Sequence, residues 1–570
     1  MFKIKSFDES HPNPIFYREK YTILNGEWDF AYDHKGQGER KKYYESFPNE
    51  LKINVPFTYN TKESGIDNKE IISGVWYKRE INIESLKNDY ILHFEGIDYL
   101  SKLWINSRYV ATFKGGYIRH SINITEYLNI GSNTITVYAY DSLSKEQPRG
   151  KQRFQKKNFV CWYEENTGIY KDVWLEEVPR NHIDSFFITP NRDKKEVNFK
   201  FNFIGLNNEL TINISYMDKL VASKKYDINS VLFETAISFD SIEEWNALDP
   251  KLYDVEFIYG SDKVLSYFAF RSLKAKDKKV YINDNEVYQK LVLDQGYFEG
   301  SLLTPPSPKA LEEDIKLSIS MGFNGARKHQ KREDDRYYAY ADMYGFIVWA
   351  EMPSVYKPSK KAFNNLKEEW EEIVKELYNH PSIICWTPIN ESWGVYLIAS
   401  KKSERDFVNS LYDLTKSIDP NRFCLTNDGW EHTKSDFLTM HFYSQDPEHL
   451  ARRIYYALNN GIVKSLLPYK YRLYVKGYSY NDVPIIISEF GGTSYESSEL
   501  KEWGYGDAVK SDEEYKERLS SLFDALFNIK EISGYCFTQL TDVRQEVNGL
   551  LKPDRKPKIS LEDIKNIQTR

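Results

Sequence analysis

From residue 289 onward the chain alternates between two patterns, and that alternation limits the fold more than any other feature. Short apolar runs of strand length are separated by longer stretches with helical spacing, the signature of parallel βα units. Eight runs follow in order: QKLVLDQ (289–295), GFNGARKHQ (322–330), GFIVWAE (345–351), SIICWTPINE (382–391), RFCLTNDG (422–429), FLTMHFYS (437–444), PIIISEFGG (484–492) and ISGYCFTQLTD (532–542). Between the first two, SPKALEEDIKLSISM opens with Ser307 as an N-cap and Pro308 at the first helical position. In NNLKEEWEEIVKELYNH, Leu366, Trp370, Ile373, Val374 and Leu377 share one helical face. Eight strands with intervening helices over about 290 residues predict a (β/α)8 TIM barrel at 273–570. An open doubly wound sheet would bring a glycine-rich phosphate turn, and neither GxGxxG nor a Walker loop occurs.

Upstream the pattern is different. Residues 1–180 carry short alternating runs such as DYILHFEGIDY, SKLWINSRYVATF and NTITVYAYD, and 181–272 carry EVNFKFNFIG, LTINISYM and YDVEFIYG. Both segments predict β-sandwiches, giving a multidomain chain of three units. The formal charge of −7 leaves no basic footprint, so neither nucleic acid nor a membrane surface is an expected partner. Aromatic residues reach 15%, which β-propensity accounts for before any stacking surface is invoked. Cys161, Cys385, Cys424 and Cys536 form no CxxC pair, and no apolar run approaches membrane-spanning length. With no apolar signal segment at the N-terminus, a cytoplasmic, reduced protein is expected. A homo-oligomer is left open.

In a barrel of this kind the strand C-termini open into the functional mouth. The second run ends near Asn324, Arg327 and His329, the third on Glu351, the fourth on Asn390 and Glu391, and the fifth on Asn427 and Asp428. The sixth ends on His441 and Tyr443, the seventh on Glu489, and the eighth on Gln539 and Asp542. A single glutamate after a strand is ordinarily a solvated loop residue. Two of them, on strands four and seven of one barrel, suit glycoside hydrolysis, where one carboxyl protonates the leaving oxygen and the other attacks or activates water. Asn390 before Glu391 and Trp393 after it suggest a partly desolvated proton donor, and a cation such as Arg327 beside Glu489 would suit a nucleophile. Glu351 is the rival acid and is read as pocket lining. His329 and His441 lack HxH or HExxH spacing, so hydrogen bonding is expected of them rather than metal ligation.

At these residues the chain resembles glycoside hydrolase family two, the group of β-galactosidases, β-glucuronidases and β-mannosidases. WTPINESWG resembles that family's acid/base strand and VPIIISEFGG its nucleophile strand, which implies Glu391 as acid/base and Glu489 as nucleophile. LNGEWDF (24–30), GVWYKRE (74–80), GGYIRHSINITEYL (115–128) and TGIYKDVWLE (167–176) resemble its jelly-roll-like sugar-binding sandwich, and 181–272 its immunoglobulin-like domain. The resemblance also implies that Asn324 and Arg327 support the site and that Tyr443 orients the nucleophile. No cofactor and no metal is implied. Two departures bear on the substrate. RKHQKRED replaces the Ser-His-Tyr-Pro run of familiar members, and Glu546-Val547-Asn548 stands where β-glucuronidases place Asn-x-Lys to hold the sugar carboxylate. An acidic residue there should repel a uronic acid through like charge. The expectation is therefore an exo-acting retaining β-glycosidase on a neutral sugar, β-galactosidase-type, with Glu546 and Asn548 accepting hydroxyls. β-Glucuronidase, β-mannosidase and α-L-arabinosidase activities are the alternatives on this scaffold, with a non-catalytic carbohydrate-binding protein as the reading from another class. The loop CWYEENTG (161–168) is a candidate to reach over the pocket.

Overall fold

The computed structural model describes residues 1–48, 51–464, 470–479, 482–496 and 502–569, and its C-terminal part is a parallel barrel. The barrel strands are β1 (Gln289–Asp294), β2 (Gly325–Lys328), β3 (Ile347–Glu351), β4 (Ile383–Thr387), β5 (Phe423–Cys424), β6 (Leu438–Phe442), β7 (Ile485–Gly491) and β8 (Ile532–Thr538). They pair in parallel in the order β5-β4-β3-β2-β1-β8-β7-β6. Strand β5 is two residues long, and among the described residues it forms no ladder with β6. Asp436 joins them instead: its N–H reaches the Cys424 carbonyl at 3.0 Å and its carboxylate accepts from Cys424 N at 2.8 Å. Every residue of β2, β3, β4, β7 and β8 is buried, because the barrel interior fills one face and helices cover the other. That is why these strands read as continuous apolar runs.

The helices are α1 (Pro308–Ser320), α2 (Asp335–Tyr344), α3 (Lys360–Glu376), α4 (Lys402–Ile418), α5 (Pro447–Asn460), α6 (Asp512–Phe527) and α7 (Leu561–Gln568). Leu366, Trp370, Ile373 and Val374 on α3, with Leu377 just beyond it, are all buried. Each such side chain contributes about 1.5–3 kcal/mol of burial. Ser307 precedes α1 and Pro308 opens it, although the serine side chain makes no capping bond.

The first sandwich pairs a four-stranded sheet (Tyr21–Ile23, Val173–Val178, Asp89–Phe94, His120–Asn123) with a six-stranded one that includes Gly74–Ile83 and Gly131–Tyr140. Trp28, Val75 and Ile135 of one sheet share a core with Leu92, Phe94 and Leu175 of the other. The second sandwich sets three strands (His182–Asn191, Glu196–Ile204, Leu232–Ser238) against four, around Phe199, Phe201, Leu210 and Phe257. Residues 1–20 lie outside both pairs of sheets. They run across the other units, with Phe2 N donating to Met343 O at 2.8 Å and Tyr17 bridged to Leu265.

Buried ion pairs seal the first sandwich to the barrel. Arg336 on α2 binds Asp172 of the sandwich and Asp334, each at 2.5 Å, and Arg119 binds Glu95 at 2.8 Å and also Asp335. Closer to the barrel mouth, Arg149 N and Gly150 N both donate to Ser354 O, at 2.9 and 3.3 Å. The loop that follows Gly131–Tyr140 is thereby fixed over the strand C-termini.

Candidate active site

Arg327, at the C-terminal end of β2, is fully buried and sits among three carboxylates. Its Nε lies 2.8 Å from Glu351, its Nη1 2.8 Å from both Asp428 and Glu489, and its Nη2 donates to Asn390 Oδ1 at 2.7 Å. Burial disfavours the guanidinium, but Asp428, Glu351 and Glu489 outweigh it and raise its pKa further. The carboxylates respond differently. Burial pushes Glu351 up to about 7 despite Arg327, whereas Arg327 and His441 overcome burial at Asp428 and hold it well below the usual range.

His441 on β6 completes the cluster. Its Nδ1 lies 2.8 Å from Glu391 and 3.4 Å from Glu489, and its Nε2 lies 3.2 Å from Asp428. Burial alone would strip its proton, but Glu489 and Asp428 outweigh burial and push it up to about 10. Gly429 makes this close approach feasible. With φ at +100°, a Cβ there would fall 2.9 Å from the imidazole. One oxygen from each of Glu391 and Glu489 and a nitrogen of His441 all lie within 4.8 Å of one another. That spacing would also suit a metal ion, to which His441 would have to yield its proton. Tyr443 donates its hydroxyl to Glu489 and stacks on Tyr505 with ring centroids 3.6 Å apart.

Glu391 follows β4 on a bent backbone. Glu391 and Ser392 have φ of +52° and +56°, in the left-handed region that side chains disfavour. Neighbouring bonds impose that conformation: Glu391 N donates to Asp428 O and Ser392 N to Asn427 Oδ1, each at 2.9 Å. Such strain belongs to sites where a side chain must be aimed. The Glu391 side chain is 21% exposed, while that of Glu489 is 6% exposed. Beside it, Trp393 packs edge-on to Trp162 of the sandwich loop at 5.2 Å.

A second polar group forms at the far wall. Glu546 accepts from the Tyr163 hydroxyl, from Asn548 Nδ2 at 3.1 Å and from Gln295 at 3.4 Å. Gln539 links the group by donating to Asn548 Oδ1 and accepting from Gln295, both at 2.7 Å.

Two family models match this chain. Residues 21–179 match the sugar binding domain of glycosyl hydrolases family 2, and residues 273–570 match that family's TIM barrel domain. The chain belongs to glycosyl hydrolase family 2. A beta-galactosidase of Thermoanaerobacter pseudethanolicus is 25% identical over 370 residues, covering 61% of this chain and 47% of that protein. A beta-glucuronidase of Bacteroides fragilis is 23% identical over 441 residues, covering 70% and 60%. The chain spans about half the length of the curated relatives it matches. Among solved structures, a beta-glucuronidase from uncultured Clostridium sp. superposes with a TM-score of 0.79 at 19% identity, over 96% of this chain and 98% of that one.

Within this family 2 barrel, Arg327, His329, Glu351, Asn390, Glu391, Asp428, His441, Tyr443 and Glu489 come together, and Gln539, Glu546 and Asn548 form the wall beside them. Three expected residues stand elsewhere or act indirectly. Asn324 is a correction: it precedes β2 at the closed end of the barrel, where it donates to Tyr288 O at 2.9 Å and accepts from Lys290 N at 2.8 Å. It cannot touch the mouth, because β2 begins only after it. Asp542 is bound to Lys558 at 2.7 Å and to Gly549 N at 2.7 Å, which uses it to fix the segment after β8. Asn427 shapes the Glu391 turn through Ser392 rather than lining the pocket. Tyr163, Gln295 and Tyr505 join the site without having been singled out. Tyr163 lay inside the loop flagged as a possible cover, whereas the sequence around Tyr505 carries no comparable signal.

Proposed function

We propose that this chain is an exo-acting retaining β-glycosidase that works by double displacement. The observation that carries the reading is the spacing of Glu391 and Glu489, whose nearest relevant oxygens fall within 4.8 Å. Carboxyl groups about 5 Å apart suit direct attack, whereas an inverting enzyme needs a wider gap to admit water between them. Glu489 is the nucleophile. Arg327 and Tyr443 hold its two oxygens, so its carboxylate is fixed before the anomeric carbon arrives. Glu391 is the acid/base and sits on the more open side, where the aglycone departs and water enters.

In the first step a Glu489 oxygen bonds to the anomeric carbon while Glu391 gives its proton to the glycosidic oxygen, and the aglycone leaves as an alcohol. In the second, Glu391 takes a proton from water, and the resulting hydroxide displaces Glu489 to release the sugar. His441, charged and in contact with both carboxylates, steadies the negative charge that passes between them. A non-catalytic binding protein would have no need of two apposed glutamates ringed by donors.

The identity of the sugar turns on the wall around Glu546. A neutral, galactoside-type sugar was expected because Glu546 would repel a uronate. In the structure its carboxylate accepts from Tyr163, Asn548 and Gln295, neutral donors that hold it in place and leave its negative charge facing the sugar.

The decisive experiment traps the intermediate. A 2-deoxy-2-fluoro glycosyl fluoride should label the peptide that carries Glu489, and E489Q should lower kcat by on the order of 10⁴-fold. Labelling at Glu351, or unchanged turnover by E489Q, would overturn the assignment.

A further inference from the structure

We propose that Tyr505 is a positioning residue for the nucleophile: its ring, stacked on Tyr443, keeps the Tyr443 hydroxyl aimed at Glu489. This deepens the glycosidase reading above and rests on it for the role of Glu489. The Tyr505 hydroxyl makes no hydrogen bond among the described residues, so its ring is what it contributes.

Tyr443 lies one residue past β6, where the strand's own ladder no longer fixes it. Its hydroxyl donates to one Glu489 oxygen, and Thr538 Oγ1 stands 3.3 Å away as an alternative partner. That hydroxyl sits at the far end of a ring that turns about two bonds, the second of which has only a broad preference. A small rotation therefore carries it off the carboxylate. Tyr505 removes that freedom. The two rings lie 6° from parallel with centroids 3.6 Å apart. With one face covered and its hydroxyl bonded, Tyr443 holds a single orientation before the substrate arrives. A donor fixed in advance needs no reorganisation at the moment of reaction.

Tyr505 can do this because the segment that carries it is tied on three sides. Trp503 N donates to Gln545 O at 2.8 Å and Val547 N to Trp503 O at 2.9 Å, which joins the segment to the far wall on either side of Glu546. Trp503 Nε1 donates to Val160 O of the first sandwich at 2.8 Å, and its ring stands edge-on to Tyr505 with centroids 5.4 Å apart. On the third side, Tyr505 N donates to Gly492 O at 2.9 Å, three residues past the nucleophile. Gly492 has φ of +73°, and a Cβ there would fall 2.3 Å from the Tyr505 ring. Only glycine lets the ring come this close to the end of β7. The second glycine of EFGG (489–492) thus makes room for the tyrosine of WGYG (503–506).

Tyr505 could instead matter only to folding, or only through its hydroxyl, and a double-mutant cycle separates these roles. kcat and KM on a nitrophenyl β-glycoside are measured for Y505L, Y505F, Y443F and the double variant Y443F/Y505L. Y505L should lower kcat by about tenfold or more with KM changed less than about threefold, the mark of an interaction that serves the transition state. Y505F keeps the ring and should retain about a third or more of the wild-type kcat. In the Y443F background no hydroxyl remains to be aimed, so adding Y505L should cost no more than about twofold in kcat. A loss of equal size in both backgrounds would assign the ring to structure alone and overturn the proposal. Unchanged kcat in Y505L counts against it equally, and a loss in Y505F as deep as in Y505L would hand the effect to the hydroxyl. Should Y505L not fold, G492A carries the same test, since its Cβ would push the ring off Tyr443. Crystal structures of Y505L and Y505F give a readout independent of turnover. The Tyr443 hydroxyl should be off Glu489 in Y505L and bonded to it in Y505F. A hydroxyl still bonded to Glu489 in Y505L sinks the proposal. A wild type without turnover on any glycoside would defeat the glycosidase reading, and the crystal structures would still decide whether Tyr505 aims Tyr443.

Discussion

His441 touches Glu391, Glu489 and Asp428 at once, and its proton is part of how the site holds together. Its pKa rises from the ordinary 6.5 to about 10 on folding because the surrounding carboxylates outweigh burial. The folded state therefore binds this proton more tightly than the unfolded chain. The resulting stability is fully present below pH 6.5 and is lost as pH rises through 10. Replacing the imidazole with an uncharged amide removes that dependence. Thermal unfolding of wild type and H441Q should accordingly converge between pH 7 and pH 10, as the wild type gives up on the order of a few kcal/mol that the variant never had. Other groups titrate in that range too, so the difference between the two proteins is the quantity to follow. Parallel curves would show that His441 is neutral in the native state.

At the scale of single elements, the loop from Arg149 to Asn166 decides how completely the pocket is walled. Trp162 packs against Trp393 at 5.2 Å, Tyr356 at 5.5 Å and Phe159 at 4.8 Å, joining the loop to the turn that carries Glu391. Aromatic contacts of this kind are each worth roughly 0.5–1.5 kcal/mol beyond area burial. W162A should loosen the loop without touching the glutamates. Steady-state kinetics on a nitrophenyl glycoside should then show KM raised about tenfold with kcat changed less than threefold, since about 1.4 kcal/mol corresponds to a factor of ten. A fall in kcat at constant KM would place Trp162 in the chemical step instead.

The same elements show what the amino-acid order could reveal. Strands such as Ile485–Gly491 were legible because parallel strands buried on both faces must be nearly all apolar. Glu391 and Glu489 were legible because each breaks such a run at the end that opens into the mouth. Asn324 misled because GFNGARKHQ carries polar residues at both ends, while only the four residues Gly325–Lys328 form the strand. Tyr505 was illegible because its relevance depends on how the segment after β7 lies on the end of β6. No local pattern encodes that placement.

For the whole molecule, the site exists only where two domains meet. Glu391, Glu489 and Arg327 belong to the barrel, whereas Trp162 and Tyr163 belong to the first sandwich. Their register depends on the interface beneath them, and that interface is polar. Arg336 is held between Asp172 and Asp334, both at 2.5 Å, and Lys171 donates to the carbonyls of Arg332 and Glu333 at 2.9 Å each. Buried pairs of this kind add little over a well-packed apolar contact, but breaking one leaves charges with no solvent to take them up. Removing Arg336 strands two buried carboxylates, a loss of about 3–5 kcal/mol for the assembled pair of domains. Scanning calorimetry of the wild type should show the first sandwich and the barrel unfolding in one transition, because neither can lose the interface without exposing those charges. R336M should lower that transition and split it in two, with glycosidase turnover lost at the lower step as the loop leaves the mouth. A wild type that already unfolds in separate steps, or an R336M variant whose single transition is unshifted, would show that the domains are docked by something other than these ion pairs.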